Sequence, residues 1–296
     1  MNILVTGGAG FVGSHLCERL AKNSNNKVYS LDNYFTGSKD NHVNNVTYIE
    51  GNTVNIVELI NFIPDIIYHL GEYSRVEQSF DDIEKVWHYN KDGVFSVLEF
   101  ARSCGCKILY AGSSTKFGDG GLGRSASPYA WTKASNTELV MNYGNWFNVP
   151  YAITYFYNVY GTREIQTGKY ATLIALFKEK MKNNDPLTVV SPGTQKRNFT
   201  HIDDIIDGLI LVGENGYGDE FGIGSSEAFS ILEVAEMFME KSKEEAISSG
   251  DLVLLPERKG NRMSADVFTN KTKALGWKPQ KELRDYIEQL RTGRWE

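Results

Sequence analysis

Short apolar runs punctuated by glycine or polar residues alternate, through the first half of the chain, with longer stretches in which apolar positions recur every three to four residues. The short runs at 2–6, 27–31, 46–49, 65–70, 107–111 and 151–156 predict strands, and the stretches between them predict helices. Such alternation implies an α/β fold: a doubly wound, largely parallel sheet with helices on both faces. Two helices, about 83 to 104 and 128 to about 147, are long and amphipathic, with an apolar stripe suited to packing on the sheet. From about Val159 the regularity falls away, and isolated apolar runs such as Leu187-Thr188-Val189-Val190 and Leu252-Val253-Leu254-Leu255 stand among separate helices. The predicted division is a first domain over 1–158, with 199–212 returning to it, and a smaller domain over 159–296.

The first strand breaks into Gly7-Gly8-Ala9-Gly10-Phe11-Val12-Gly13 and then a helix. Glycines permit a tight turn and close backbone approach, while the helix amino terminus presents N–H groups and a positive dipole end to a pyrophosphate. The second strand ends at Asp32, where a dinucleotide fold places a carboxylate for the adenosine ribose hydroxyls. That carboxylate would repel a 2′-phosphate, and no basic residue follows until Lys39, so NAD is expected rather than NADP.

Downstream, Leu109-Tyr110-Ala111-Gly112-Ser113-Ser114-Thr115 reads as a strand running into small hydroxyl residues, which brings Ser113 to the carboxyl edge of the sheet. Tyr129 and Lys133 follow four positions apart on a helix. They share one face, so the ammonium sits beside the phenol and favours its ionised form. A tyrosine base near neutral pH is the expectation.

With these features together, the chain resembles an extended short-chain dehydrogenase/reductase of the nucleotide-sugar epimerase/dehydratase branch, similar in motif to UDP-glucose 4-epimerase-like enzymes. The resemblance rests on the glycine loop, Leu31-Asp32-Asn33, His69-Leu70-Gly71, Asn90, Ser113, Tyr129 and Lys133, Asn158-Val159-Tyr160-Gly161, Arg197-Asn198-Phe199-Thr200-His201-Ile202-Asp203-Asp204 and Leu275-Gly276-Trp277, nearly the whole chain. It implies a Rossmann-type sheet with a smaller C-terminal substrate domain. The implied NAD-binding residues are Gly7, Gly10, Phe11, Val12, Gly13, Asp32, Asn33, Asn52, Thr53, Leu70, Gly71, Asn90, Tyr129 and Lys133. By the same likeness Tyr129 is the base, Lys133 lowers its pKa and holds the nicotinamide ribose, and Ser113 hydrogen-bonds the reacting oxygen. Ser114, Asn158, Arg197 and Arg258 are the other implied substrate contacts, since guanidinium forks suit diphosphate oxygens. Asn90 reads equally as part of this network or as a helix-capping or core polar group. A homodimer built on the two long helices is also implied.

The expected activity is redox-neutral epimerisation of a nucleotide sugar at C4. A dehydratase or reductase on the same fold and a non-catalytic NAD sensor are the competing readings. Ser114 and Thr115 stand where dehydratases of the family carry an Asp-Glu pair, and hydroxyls cannot replace those carboxylates at neutral pH. Four positions depart from the family pattern: Asn52 for an aspartate, Tyr155 for an arginine, a short glycine-rich stretch over 118–128, and Glu72 for a small residue. A salt bridge from Glu72 to Arg75 is the simple expectation for the last.

Composition narrows the classes further. A net charge of −6 argues against a nucleic-acid surface, and no apolar run reaches membrane-spanning length, so a cytoplasmic enzyme is expected. The three cysteines, Cys17, Cys104 and Cys106, and the scattered histidines lack metal-ligand spacing, so no metal is expected. Asp203 and Asp204 read as capping and dipole-complementing residues.

Overall fold

The computed structural model describes residues 1–117, 119–257 and 266–293. Six strands, β1 (Asn2–Thr6), β2 (Lys27–Asp32), β3 (Val46–Glu50), β4 (Ile66–His69), β5 (Lys107–Ser113) and β6 (Tyr151–Phe156), form one sheet in the order β3-β2-β1-β4-β5-β6. Every pairing is parallel. The order reverses between β1 and β4, the place where open α/β sheets leave a crevice at their carboxyl ends. A seventh strand, Gly218–Ile223, adds parallel to β6. The return to the sheet therefore extends beyond the expected 199–212 as far as Ile223.

Alternation along β1 explains the layers. Leu4 faces one core with Ile67, Leu98, Val140 and Ile153, whereas Ile3 and Val5 face the other with Leu16, Ile205 and Leu209. Each fully buried aliphatic side chain contributes roughly 1.5–3 kcal/mol, which is why strands buried on both sides read as continuous apolar runs. A third cluster around Phe177, Val189, Phe229 and Ile287 holds the carboxyl-terminal elements together.

Helix Ile202–Asn215 belongs to the second core, and its first turn corrects one expectation. The side chain of His201, rather than an aspartate, caps it by accepting from the Asp203 N–H at 3.2 Å. Asp204 is buried and accepts from the N–H groups of Gln280 and Lys281 at 2.9 and 3.1 Å, while its carbonyl accepts the Trp277 indole N–H at 2.8 Å. It ties the Trp277 segment to this core.

The expected helix over 83–104 is three pieces: Ile83–Val86, a wider π-type turn Trp87–Asp92, and Gly93–Cys104. The wide turn presents Asn90 fully inward. A Cβ at Gly93 would stand 2.5 Å from Thr53 Oγ1, so glycine is what lets the helix abut that loop. Helix Pro128–Phe147 begins where expected, with Ser127 Oγ accepting from the Ala130 N–H at 3.0 Å and Pro128 in the first turn.

Candidate active site

A cavity of about 700 Å³ runs along the carboxyl ends of the strands. Its floor at one end is the glycine turn. Gly7 takes φ +74°, donates to Leu31 O at 2.8 Å, and approaches Gly71 so closely that a Cβ would lie 2.9 Å from the Gly71 backbone. Gly13 has no space either, since a Cβ would meet Gly7 O at 2.0 Å. Gly10 stands at the N-cap of helix Phe11–Ala21 and brings no side chain to the first-turn N–H groups, which leaves an anion-binding end beside Phe11, Val12 and Gly13 in the cavity wall.

Asp32 is buried, accepting from the Ala9 N–H at 2.9 Å and the Tyr34 N–H at 2.8 Å. Burial pushes its carboxyl above the usual range, and these N–H groups pull it back. Asn33, Thr53, Leu70 and Gly71 also line the cavity. Asn52 contributes indirectly, accepting from the Asn33 amide at 2.7 Å. A glycine cradle, a helix amino terminus and a buried carboxylate at the end of β2 fit the pyrophosphate and ribose of a dinucleotide.

At the other end, Tyr129 Oη donates to Ser113 Oγ at 3.2 Å, and Ser113 Oγ lies 2.9 Å from Thr115 Oγ1. Tyr129, Lys133, Ser113 and Ser114 all face the cavity. The helical spacing and the strand edge bring Tyr129, Lys133 and Ser113 to one end of the cavity. Lys133 is buried, which pushes its amine down, and its Nζ donates to Ala111 O and to Glu72 Oε2.

Glu72 is thus the partner of Lys133 and not of Arg75. Its Oε1 also accepts from Tyr110 Oη and Asn136 Nδ2, each at 3.2 Å. Arg75 turns instead to the carbonyl of Tyr170, donating from Nε and Nη2 at 2.9 and 2.7 Å. Asn90 does not line the cavity. It sits behind it, accepting from the Tyr73 N–H at 2.7 Å and donating to Thr132 Oγ1 at 3.1 Å, while its carbonyl accepts from Asn136 at 2.7 Å. His69, buried below, shares a 2.7 Å hydrogen bond with Thr6 Oγ1, and burial takes its imidazole down to about 3, so it is neutral at working pH.

Asn158 and Arg197 line the far wall; Asn158 takes φ +36° and donates to Asn198 O at 2.9 Å. Arg258 lies outside the described residues. Arg75 and Glu164 are among the cavity residues to which sequence reasoning assigned no site role. Glu164 accepts from the Gly161 N–H at 3.0 Å and Thr172 Oγ1 at 2.6 Å, and burial raises its carboxyl to about 7. Its only cue in sequence is proximity to Asn158-Val159-Tyr160-Gly161. Among the described residues no cluster of three or more His, Cys, Asp or Glu could hold a metal ion, and no helix is long and apolar enough to cross a membrane.

Comparison with known proteins agrees with this geometry. The chain is 28% identical to UDP-glucuronic acid decarboxylase 5 of Arabidopsis thaliana over 96% of its length and 86% of that protein. It is 28% identical to a putative UDP-glucose 4-epimerase of Methanocaldococcus jannaschii, covering 97% and 96% of the two chains. The crystal structure of UDP-glucuronic acid 4-epimerase from Bacillus cereus, in complex with a fluorinated UDP-sugar and NAD, superposes with a TM-score of 0.84 at 27% identity, covering 98% of this chain and all of that one. Residues 3–224 match the family model described as the NAD dependent epimerase/dehydratase family. The chain belongs to that family, and NAD is its cofactor.

Proposed function

We propose that the chain is a redox-neutral epimerase acting at C4 of a nucleotide sugar through a 4-keto intermediate. The observation that carries this reading is the Tyr129–Ser113 pair at the cavity edge, backed by buried Lys133 and followed by the hydroxyls of Ser114 and Thr115. Tyr129 takes the proton of the 4-hydroxyl, and Ser113 steadies the oxygen as it becomes a carbonyl. NAD, when bound, supplies the acceptor and later the donor of the C4 hydride. With no carboxylate at Ser114 or Thr115, expulsion of water from the keto sugar has no acid there. Asn158 and Arg197 would hold the diphosphate while the sugar turns to expose its other face.

The same oxidation applied to a nucleotide uronic acid gives a β-keto acid that loses carbon dioxide. Arg75 in the cavity wall offers a guanidinium that would hold the carboxylate of such a substrate, and decarboxylation is the second reading. NMR of UDP-glucose, UDP-N-acetylglucosamine, UDP-glucuronic acid, and GDP- or dTDP-hexoses incubated with the enzyme alone separates the outcomes. A C4 epimer without net NADH release supports the proposal. A UDP-pentose from UDP-glucuronic acid replaces it with the decarboxylase, and a 4-keto-6-deoxy product with a dehydratase.

The homodimer belongs to this reading as well. Trp87 in the wide turn, Phe95 in helix Gly93–Cys104, and Trp131 and Trp146 in helix Pro128–Phe147 are exposed, and Trp87 stacks on Trp131 with centroids 5.9 Å apart. An apolar face of this kind suits burial against a second copy. A monomer at micromolar concentration in sedimentation would remove it.

A further inference from the structure

Glu72 is a charged group of the site to which the epimerase reading gives no task. Its side chain is 3% exposed, yet it lines the cavity beside Tyr129 and Lys133. Three donors converge on it: Lys133 Nζ on Oε2, and Tyr110 Oη and Asn136 Nδ2 on Oε1. An amide N–H and an ammonium can only donate, so the acid satisfies them best as a carboxylate, and its proton then belongs to Lys133. Asn136 also donates to Asn90 O and accepts from Lys91 Nζ at 2.8 Å, which ties this carboxylate to the wide turn.

Burial works the other way on each partner, pushing Glu72 up and Lys133 down, and their mutual contact opposes both shifts. Other ionisable groups surround the pair. His69 on β4 feels the Lys133 charge and is neutral, Lys91 feels that of Glu72, and Arg75 and Tyr110 lie within electrostatic reach of Tyr129. Arg75 is thus a cation of the cavity wall within electrostatic reach of the phenol.

We infer that Glu72 is a positioning residue that fixes the Lys133 side chain on the floor of the site and keeps its ammonium charged, so that Tyr129 ionises near neutral pH. The inference rests on the reading of Tyr129 as the base. It predicts that losing the Glu72 charge lets Lys133 become a neutral amine, and the phenol then loses the cation beside it.

Ultraviolet titration of phenolate absorbance in the NAD-loaded enzyme tests this without a substrate. The chain has 16 tyrosines, so the Tyr129 signal is taken as the difference between each protein and its Tyr129→Phe counterpart. In Glu72→Gln, which keeps the shape and the hydrogen-bonding oxygen, Tyr129 should ionise about one pH unit higher than in the wild type. Glu72→Asp, which keeps the charge, should undo most of that shift. An unmoved titration in Glu72→Gln would make the carboxylate a packing group and overturn the role. A titration moved to lower pH would also overturn it, because the ammonium would then have stayed charged without its partner.

If Glu72→Gln does not fold, Lys133→Met and the double variant with Glu72→Gln serve instead. Acting only through Lys133, Glu72 should make no difference between these two; a difference overturns the inference. A phenol titration near neutral pH that survives in Tyr129→Phe removes the base assignment itself, and Glu72's role with it.

Discussion

At the glycine end of the cavity the shaping atoms belong to the backbone, whereas at the Tyr129 end they are side chains drawn from β4, β5 and two helices. Gly7, Gly13 and Gly71 define the first end by what they lack, within a stretch where an added methyl would strike a carbonyl or another backbone. The second end hangs on contacts between residues far apart in sequence, Glu72 with Lys133 and Arg75 with Tyr170. A backbone site is stiff and tolerates no added atoms. A side-chain site tolerates isosteric change in shape but not in charge.

The largest expected effect breaks the second end and spares the first. Tyr129→Phe should lower turnover by roughly 10³-fold, ~4 kcal/mol of barrier, because the ring stays and the ionisable oxygen goes. Calorimetry should find NAD binding close to wild type. Retained turnover would take Tyr129 out of the base role.

Glu164 sharpens the comparison through pH. Its folded-state carboxyl is raised from 4.5 to about 7, so the folded protein holds this proton more tightly than the unfolded chain. The associated stability is fully present below about pH 4.5 and is lost as pH rises through about 7, on the order of 3 kcal/mol. Denaturant melts of Glu164→Gln and wild type should diverge across that window, with the variant flatter. Parallel curves would show that burial of this carboxyl does not govern its titration.

The backbone end should break with a single methyl. Gly13→Ala is expected to cost about 2 kcal/mol, since the new Cβ would overlap Gly7 O and must displace the loop. NAD affinity should fall with it, while Tyr129 and Ser113 stay in place. Unchanged affinity in calorimetry would mean the loop can yield without loss of the anion site.

The smallest effect lies at the start of the helix that carries Tyr129 and Lys133. Ser127→Ala removes the hydrogen bond to the Ala130 N–H and should cost about 1 kcal/mol in a chemical melt. A loss near zero would show that Pro128 alone starts the helix.

What could be read from the sequence follows the same divide. The glycine turn, Asp32 and the Tyr129–Lys133 spacing are local, so their chemistry is written in adjacent residues. The Glu72–Lys133 pair spans 61 positions, and the unexpected carboxylate was visible while its partner was not. The strand Gly218–Ile223 was missed because Gly218, Asp219, Glu220 and Gly222 interrupt its apolar pattern, and only its last three residues are buried. The wide turn at Trp87–Asp92 was missed for the opposite reason: apolar residues on both sides keep helical spacing, and one additional residue per turn leaves little trace in periodicity.

That turn makes the length of a segment as consequential as its composition. One residue lost or gained between Val86 and Gly93 would rotate everything beyond it by about 100°, the angular step of an α-helix. Asn90 would swing away from Tyr73 and Thr132, and Gly93 would no longer be the residue facing Thr53. A scan of substitutions would report these positions one at a time, whereas a scan of deletions would find the whole segment behaving as a single unit.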